Sequence, residues 1–251
     1  MAPLVEAERP RRQRVEFGDG AGTTVHVACY PRSGFRAKLV RITPVGALKN
    51  WSGDNGVEDA IVGGFFIRAE GTPLGELRLD GAAQPSQPFD PPWDRIRACV
   101  HIDGDRIRCG PRDQFEAEPR GDLLQAGPML VVGGASRLLA APDPEGFSAG
   151  AHQFDSDITR GRYPRAALGI TASLLIAVVC DGRSDSDAGM SLSDLATTMI
   201  GLGADEAINL DGGGSASLLV GGELANVPRE EHGSPLPGGR PISTAIIFAR
   251  R

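Results

Sequence analysis

The sequence predicts an α+β fold: a mixed β-sheet with many hairpins, a C-terminal strand–helix–strand (βαβ) unit, and helices mainly on one side. Its 34 glycines and 19 prolines in 251 residues favour turns and short elements over long helices. Short apolar or alternating runs recur between the turns, as strands do. One amphipathic pattern, "SLSDLATTMIGLG", predicts a helix between two apolar strands. We expect a single domain over residues 15–251, preceded by a disordered basic leader over residues 1–14.

The first half of the chain reads as hairpins and strands. "VEFGDGAGTTVHVACY" predicts a hairpin that turns at Gly-Asp-Gly, and the alternation in "FRAKLVRITP" predicts a half-buried strand. "VEDAIVGGFFI" is interpreted as a short helix passing into a strand that ends at two glycines. Residues 80–95, rich in proline and glycine, predict an exposed loop, and residues 96–109 a second hairpin.

The second half supplies the βαβ pattern. "DLLQAGPMLVVGG" predicts a strand broken at Gly-Pro, residues 140–162 a long loop, and "RAALGITASLLIAVVCDGR" two strands. The helix follows, with Ser191 and Asp194 in a capping box and Gly203 after its end. "EAINL" is the next strand, so residues 171–210 predict a neighbouring parallel pair. "SASLLVGGELANV" predicts a hairpin and "ISTAIIFAR" the last strand.

The composition and charge of the chain argue against some classes of partner. A net charge of -6 gives no support for a nucleic-acid partner, which needs a basic face. No apolar run approaches the roughly 20 residues that span a bilayer, so we expect no membrane partner. The first residues lack the apolar core of a signal peptide, which predicts a cytoplasmic protein, or a secreted one if the start has been trimmed.

Four cysteines occur without a C-x-x-C pair, so no zinc site is expected. Cys99 and Cys109 flank the turn of the second hairpin. A two-residue turn would place them on opposite faces, whereas a three-residue loop would place them opposite each other. Reduced thiols are expected for an intracellular chain.

Polar residues collect where the two strands of the βαβ unit end. One strand ends at "DGR", with Asp181 and Arg183, and the other at "NLDGGGS", with Asn209 and Asp211. Ligands of such sheets bind beyond the carboxyl ends of the strands. The three glycines that follow, Gly212, Gly213 and Gly214, would offer backbone N–H groups to an anion and let a ligand come close, and Ser215 comes next.

Three further residues are candidates for substrate contact. Arg165 in "PRAALG" and Arg240 in "GGRPIS" precede strands, and Gly64 lies in "VGGFF". Each has an alternative interpretation, a solvated arginine or a β-bulge. No Ser/His/Asp arrangement or metal-ligand spacing is visible, so no metal and no cofactor are expected. Asp155 and Asp157 in "FDSDIT" suggest either a cation site or a solvated acidic loop.

These motifs, in this order, resemble the phosphodiester glycosidase family over residues 60–249. The series comprises "VGGFF", "QAGPMLVV", "PRAALG", "VVCDGR", the helix, "NLDGGGSASLLVGGELAN" and "GGRPIS". Two positions depart from the family pattern. Val62 replaces an asparagine and Ala166 a threonine, so two polar groups that would face substrate are missing.

The resemblance implies a hydrolase that cleaves a sugar-1-phosphodiester at the sugar C–O bond and releases a sugar and a phosphomonoester. Asp211 is then the catalytic carboxylate and Asp181 the second choice. The arginines would contact phosphate, and Asn209 and Ser215 would contact oxygens of a small sugar-phosphate or phosphoglycan. Two alternatives stay open: a non-catalytic module that binds phosphoglycan or cell-wall polymer, and a metal-dependent phosphodiesterase.

Overall fold

The computed structural model describes residues 10–138, 143–148 and 158–251. Strands dominate it, which confirms the α+β class. The strands are, in chain order, β1 (Arg11–Glu16), β2 (Gly22–Pro31), β3 (Phe35–Ala47), β4 (Ala60–Val62), β5 (Phe66–Ile67), β6 (Thr72–Pro73), β7 (Leu77–Leu79), β8 (Ala82–Ala83), β9 (Ala98–Asp103), β10 (Arg106–Pro111), β11 (Asp122–Gln125), β12 (Met129–Val132), β13 (Ala135–Ser136), β14 (Arg165–Ile170), β15 (Leu174–Cys180), β16 (Glu206–Asn209), β17 (Leu218–Val220), β18 (Glu223–Leu224) and β19 (Pro241–Arg250). The helices are α1 (Leu48–Asn55), α2 (Trp93–Ile96) and α3 (Leu192–Gly201).

The strands form three larger sheets and the β5–β6 ribbon. The seven-stranded sheet has the order β1-β2-β15-β14-β16-β12-β13. The two five-stranded sheets have the orders β10-β9-β11-β7-β8 and β18-β17-β4-β19-β3. Every pair of neighbouring strands within the described residues is antiparallel.

The seven-stranded sheet is buried on both faces. On one face, side chains such as Ala167 and Ile176 pack with α3. On the other, side chains such as Leu168 and Ala177 join the main core with the five-stranded sheets. Burial on both faces explains why β14 and β15 are continuous apolar runs, since neither face can be polar.

Helix α3 begins and ends as the sequence predicts. The Ser191 hydroxyl accepts a hydrogen bond from the Asp194 N–H at 3.1 Å, and Asp194 Oδ2 accepts one from the Ser191 N–H at 3.1 Å. A cap of this kind stabilises a helix by about 1 kcal/mol. Gly203 follows the helix with a φ of 84°, the left-handed conformation that ends helices. No helix among the described residues has the length and apolar character needed to span a bilayer.

The predicted parallel pair is wrong in one respect. Strands β15 and β16 run in the same direction but are not neighbours, because β14 lies between them and pairs antiparallel with both. The β14–β15 hairpin occupies the edge at which β16 would have joined β15. The carboxyl ends of β15 and β16 still reach the same edge of the sheet, about 10 Å apart at ordinary strand spacing. With antiparallel neighbours throughout, the predicted mixed sheet is also wrong.

Three smaller predictions change at the N-terminal side. Residues 11–14, assigned to the disordered leader, belong to β1 and pair with β2, while residues 1–9 lie outside the described residues. The helix expected in "VED" comes earlier, as α1, and ends at Gly56 with a φ of 64°. Residues 80–95 are mainly loop but include β8 and the start of α2.

The strand register of the second hairpin shows how its two cysteines lie relative to each other. The register pairs Arg106 with Asp103, so the loop has two residues. Cys99 therefore lies opposite Gly110 rather than Cys109. Both thiols are free.

Candidate functional site

The chain crosses between two sheets at residues 210–217, the crossing segment. It leaves the seven-stranded sheet after β16 and enters the β4-containing sheet at β17. The N–H of Leu210 donates to the Ala166 carbonyl of β14 at 2.9 Å, and the N–H of Asp211 donates to the Gly63 carbonyl after β4 at 2.9 Å. Asp211 is therefore fixed to both sheets through its own backbone and that of its neighbour.

The glycines of the crossing segment make room for groups of the protein itself. A Cβ at Gly212 would lie 2.9 Å from the Pro164 carbonyl oxygen, and a Cβ at Gly214 would lie 2.7 Å from Arg240 Nη2. Gly213 has a φ of 60°, and a Cβ there would lie 3.1 Å from Arg183 Nη2. Two guanidinium groups thus lie directly over the glycine backbone.

The sequence predicts that the backbone N–H groups of the glycines are free to bind an anion, and the structure corrects this at two positions. The N–H of Gly212 donates to Asp211 Oδ1 at 2.8 Å, and the N–H of Gly213 donates to the Pro164 carbonyl at 2.8 Å. Both donors are used within the protein, because the tight turn folds them back onto neighbouring acceptors. Cationic side chains therefore provide most of the attraction for an anion here.

The Asp211 carboxylate is held in a poorly solvated place. Burial raises the pKa of Asp211 to about 6. Hydrogen bonds from the Ser215 hydroxyl and the Gly212 N–H, and the positive charges of Arg240 and Arg68, act in the opposite direction. The carboxylate is therefore largely ionised at neutral pH, and it takes up a proton more readily than an exposed aspartate does.

Three arginines, Arg68, Arg183 and Arg240, form the arginine wall beside it. Arg183 Nη1 donates to the Arg229 carbonyl at 3.0 Å, and Arg240 Nη2 donates to Glu230 Oε2 at 2.5 Å. Burial, followed by the nearby Arg240 charge, lowers the pKa of Arg183. Two desolvated cations side by side would be stabilised by an anion between them.

The arginine wall and Asp211 border a central cavity of about 160 Å³. Among its described lining residues, Asp211 supplies the one carboxylate. An apolar wall completes it, formed by Phe65, Phe66, Ile67, Leu74, Ile158 and the ring of Tyr163. The cavity therefore offers an anion site, a carboxylate and an apolar surface to one ligand.

A sequence model of the phosphodiester glycosidase family matches residues 55–249. The chain belongs to the phosphodiester glycosidase family. Every residue named above as lining the central cavity falls within the matched range.

Two solved structures share the fold of this phosphodiester glycosidase domain. The catalytic domain of zebrafish N-acetylglucosamine-1-phosphodiester α-N-acetylglucosaminidase, auto-inhibited by its pro-peptide, is 20% identical, with a TM-score of 0.74 over 97% of this chain and 83% of that chain. A hypothetical protein from Synechocystis is 17% identical, with a TM-score of 0.65 over 96% of this chain and 62% of that chain. No curated protein matches the chain by sequence.

Most of the predicted site residues of this glycosidase domain meet at the central cavity. Those that line it are Arg165, Arg183, Asn209, Asp211, Gly212, Gly213, Ser215 and Arg240. Gly214 lies beneath Arg240 and gives it space. The buried Arg165 donates to the carbonyls of Met190 at 3.1 Å and Ile158 at 2.9 Å, so it also braces the cavity rim.

Besides Gly214, two predicted residues do not line the cavity, Asp181 and Gly64. Asp181 has both oxygens engaged, Oδ2 lying 2.8 Å from His26 Nε2 and Oδ1 accepting from the Val227 N–H at 2.8 Å. It therefore fixes the chain that leads to Glu230 and Arg240. Gly64 donates to Thr244 Oγ1 at 3.0 Å, and a Cβ there would lie 3.0 Å from the Leu124 side chain, so it serves close packing.

The two departures from the family pattern also lie away from the cavity. Val62 pairs with Ala245 in the β4–β19 ladder and is fully buried in the main core. Ala166 is likewise fully buried there, on β14. The expectation that these positions face substrate is wrong, because strand alternation turns both side chains into the core.

Sequence reasoning missed Arg68, Tyr163 and most of the apolar wall. Phe65 and Phe66 were visible in "VGGFF", but Arg68 lies in a stretch with no recognisable motif. Its charge acts on Asp211 because the turn of the β5–β6 ribbon and the crossing segment line the same cavity, which no local sequence pattern predicts.

The predicted cation site cannot be placed, because Asp155 and Asp157 lie outside the described residues. Within residues 10–138, 143–148 and 158–251, no group of three or more His, Cys, Asp or Glu side chains is arranged to hold a metal.

Proposed function

We propose that the protein hydrolyses a sugar-1-phosphodiester between the anomeric carbon and its oxygen, releasing a sugar and a phosphomonoester. The observation that carries the proposal is a desolvated carboxylate, Asp211, in a cavity bordered by the arginine wall. Family membership supports hydrolysis of phosphodiester-linked sugars in general. The name of the zebrafish relative makes N-acetylglucosamine the first sugar to test.

The arginine wall suits the leaving group. Guanidinium groups bind phosphate in bidentate fashion and stabilise the charge that collects on it as the bond breaks. A phosphomonoester is a far better leaving group than an alcohol, so it departs with the electron pair of the C–O bond without strong help from a general acid. This agrees with a cavity whose described lining has one carboxylate rather than the usual glycosidase pair.

Asp211 acts at the anomeric carbon. It either attacks that carbon or removes a proton from the water that does; in both routes water finally supplies the hydroxyl of the released sugar. An ionised carboxylate also stabilises the positive charge of the oxocarbenium-like transition state. The Ser215 and Gly212 hydrogen bonds hold the carboxylate in one orientation.

The apolar wall and Asn209 would bind the sugar. Asn209 Nδ2 donates to the carbonyls of Gly127 and Leu210, both at 2.9 Å. Its Oδ1 is buried and has no hydrogen-bond partner among the described residues, and because Asn209 lines the cavity we expect this oxygen to accept from a sugar hydroxyl or acetamido N–H. A buried acceptor of this kind favours a ligand that brings a donor.

Phosphorus NMR in oxygen-18 water tests the proposal. The protein is incubated with a GlcNAc-1-phosphodiester, with Asp211→Asn as the matched inactive variant. An unlabelled phosphomonoester means that the sugar–oxygen bond broke, as proposed. Label in the phosphate means attack at phosphorus, and the metal-dependent phosphodiesterase would replace the proposal.

The alternative function, a non-catalytic binding module, was favoured by the loss of polar groups at Val62 and Ala166. These two residues do not line the cavity, so that argument no longer applies. Tight binding of several sugar-1-phosphodiesters without turnover of any of them would restore it.

A further inference from the structure

A second cavity of about 470 Å³ lies at the turn of the β9–β10 hairpin. Four arginines line it, Arg32, Arg106, Arg108 and Arg120, and we call it the arginine-rich cavity. It shares no lining residue with the central cavity.

The four arginines outnumber the carboxylates beside them, and one of the four, Arg32, already donates to the carbonyls of Thr171 and Asp105. None of them forms an ion pair with a carboxylate of the described residues, and the cavity lining contributes two carboxylates, Asp103 and Glu116. By contrast, Arg78 and Arg112 share Glu76 at 2.7 and 2.5 Å. A local positive excess in a chain of net charge -6 produces a potential that attracts anions.

An aromatic ring in the lining of the arginine-rich cavity orients one arginine. The Arg108 guanidinium lies 4.5 Å from the centre of the Phe115 ring, and Phe115 is buried. His101 donates through Nε2 to the Arg120 carbonyl at 2.7 Å, and its ring meets Phe115 edge-on. The loop that carries Phe115 and Arg120 is thereby fixed to β9. Stacking holds Arg108 ready, which reduces the entropy that binding must overcome.

We propose that the arginine-rich cavity is a second binding site, for a phosphate-bearing glycan chain, and that it holds a repeat distant from the one in the central cavity. This inference rests on the proposed function for the identity of the chain. Arginine forks match phosphodiester oxygens, and the partly exposed Ile107 offers an apolar contact to a sugar or polyol. The central cavity combines the same two features.

Calorimetric titration with poly(glycerol phosphate) of about twenty repeats tests the site directly. The variant is Arg106→Glu/Arg108→Glu. The matched control is Arg12→Glu/Arg95→Glu, which changes net charge equally at two exposed arginines elsewhere. We expect the cavity variant to lose affinity by about tenfold or more, the control by less than about twofold, and wild-type affinity to fall with added salt. Equal affinities of the two variants would overturn the inference.

Two further polymers check the chemical class of ligand. Polygalacturonate of similar charge carries carboxylates, and single-stranded DNA carries phosphates on a different backbone. Tight binding of either by wild type, lost in the cavity variant, would show a general polyanion site and overturn the assignment to phosphoglycan. Clearly weaker binding of both would support it.

Assays of hydrolysis distinguish a failure of the second binding site from a failure of the proposed function. The cavity variant should cleave a small sugar-1-phosphodiester at the wild-type kcat/KM but lose about tenfold in kcat/KM on a polymeric substrate. If no substrate turns over while the titration difference persists, the proposed function fails and the second site stands. If turnover is normal and the titration shows no difference, the second site fails alone.

Discussion

Replacing Asp211 by asparagine should make the protein more stable while removing its activity. The carboxyl has a pKa of about 6 in the folded chain, against an ordinary value of 3.8. Between these values the folded chain keeps a proton that the unfolded chain has released, so stability falls as pH rises through this window. The gap corresponds to about 3 kcal/mol above pH 6, and because Asp211 is partly exposed, solvent screening reduces it to roughly 1–3 kcal/mol.

Asparagine escapes this cost because it does not ionise, and its carbonyl can still accept from the Gly212 N–H. Urea unfolding of wild type and Asp211→Asn at pH 4 and pH 8 measures the effect. We expect the free energy of unfolding of the variant, relative to wild type, to be higher at pH 8 than at pH 4 by roughly 1–3 kcal/mol. A difference that is the same at both pH values would refute the reasoning.

The same ionisation should appear in the rate. If Asp211 works as the ionised group, kcat/KM should be level above pH 7 and decline about tenfold per pH unit below about 6. A profile that stays level down to pH 4 would contradict the assignment of Asp211.

The remaining predictions concern the groups around that carboxylate. Gly214→Ala should push the Arg240 guanidinium aside and lower kcat/KM by about tenfold or more, whereas Gly201→Ala, where a Cβ meets open space, should leave it unchanged. Glu230→Gln should raise KM roughly threefold with little effect on kcat, because Arg240 loses its partner at a partly exposed site; a large fall in kcat would argue against this positioning role. Asp181→Ala should lower the free energy of unfolding by roughly 2–4 kcal/mol and leave the pH dependence of kcat/KM in place, since its two partners lose their acceptor outside the cavity.

Local chemistry made much of the fold predictable. The capping box at Ser191, the turn at Gly221-Gly222 and the alternation in β3 each depend on residues close together in sequence. The order of strands does not. The two apolar runs on either side of α3 do not predict that β14 pairs with both β15 and β16. The pairing depends on which strand edge is free when the sheet assembles.

The candidate site was predictable in its residue types but less so in their roles. Asp211 and its glycines were recognisable, since three consecutive glycines are costly in a simple turn. Their purpose, to let Arg183 and Arg240 lie over the backbone, depends on side chains that arrive from distant strands. Asp181 also ends a strand and was the second choice for the catalytic carboxylate, and its contacts with His26 and Val227 show that it is engaged outside the cavity.

Because the crossing segment joins two sheets, the geometry of the site depends on how these sheets pack against each other. Arg183 follows β15 in the seven-stranded sheet, and Arg240 precedes β19 in the other sheet. A small slip between the sheets would separate the two guanidinium groups, so heat should abolish turnover before the strands unfold. An anion bound by both arginines would then link the two sheets. Its binding should therefore raise the temperature at which the sheets separate.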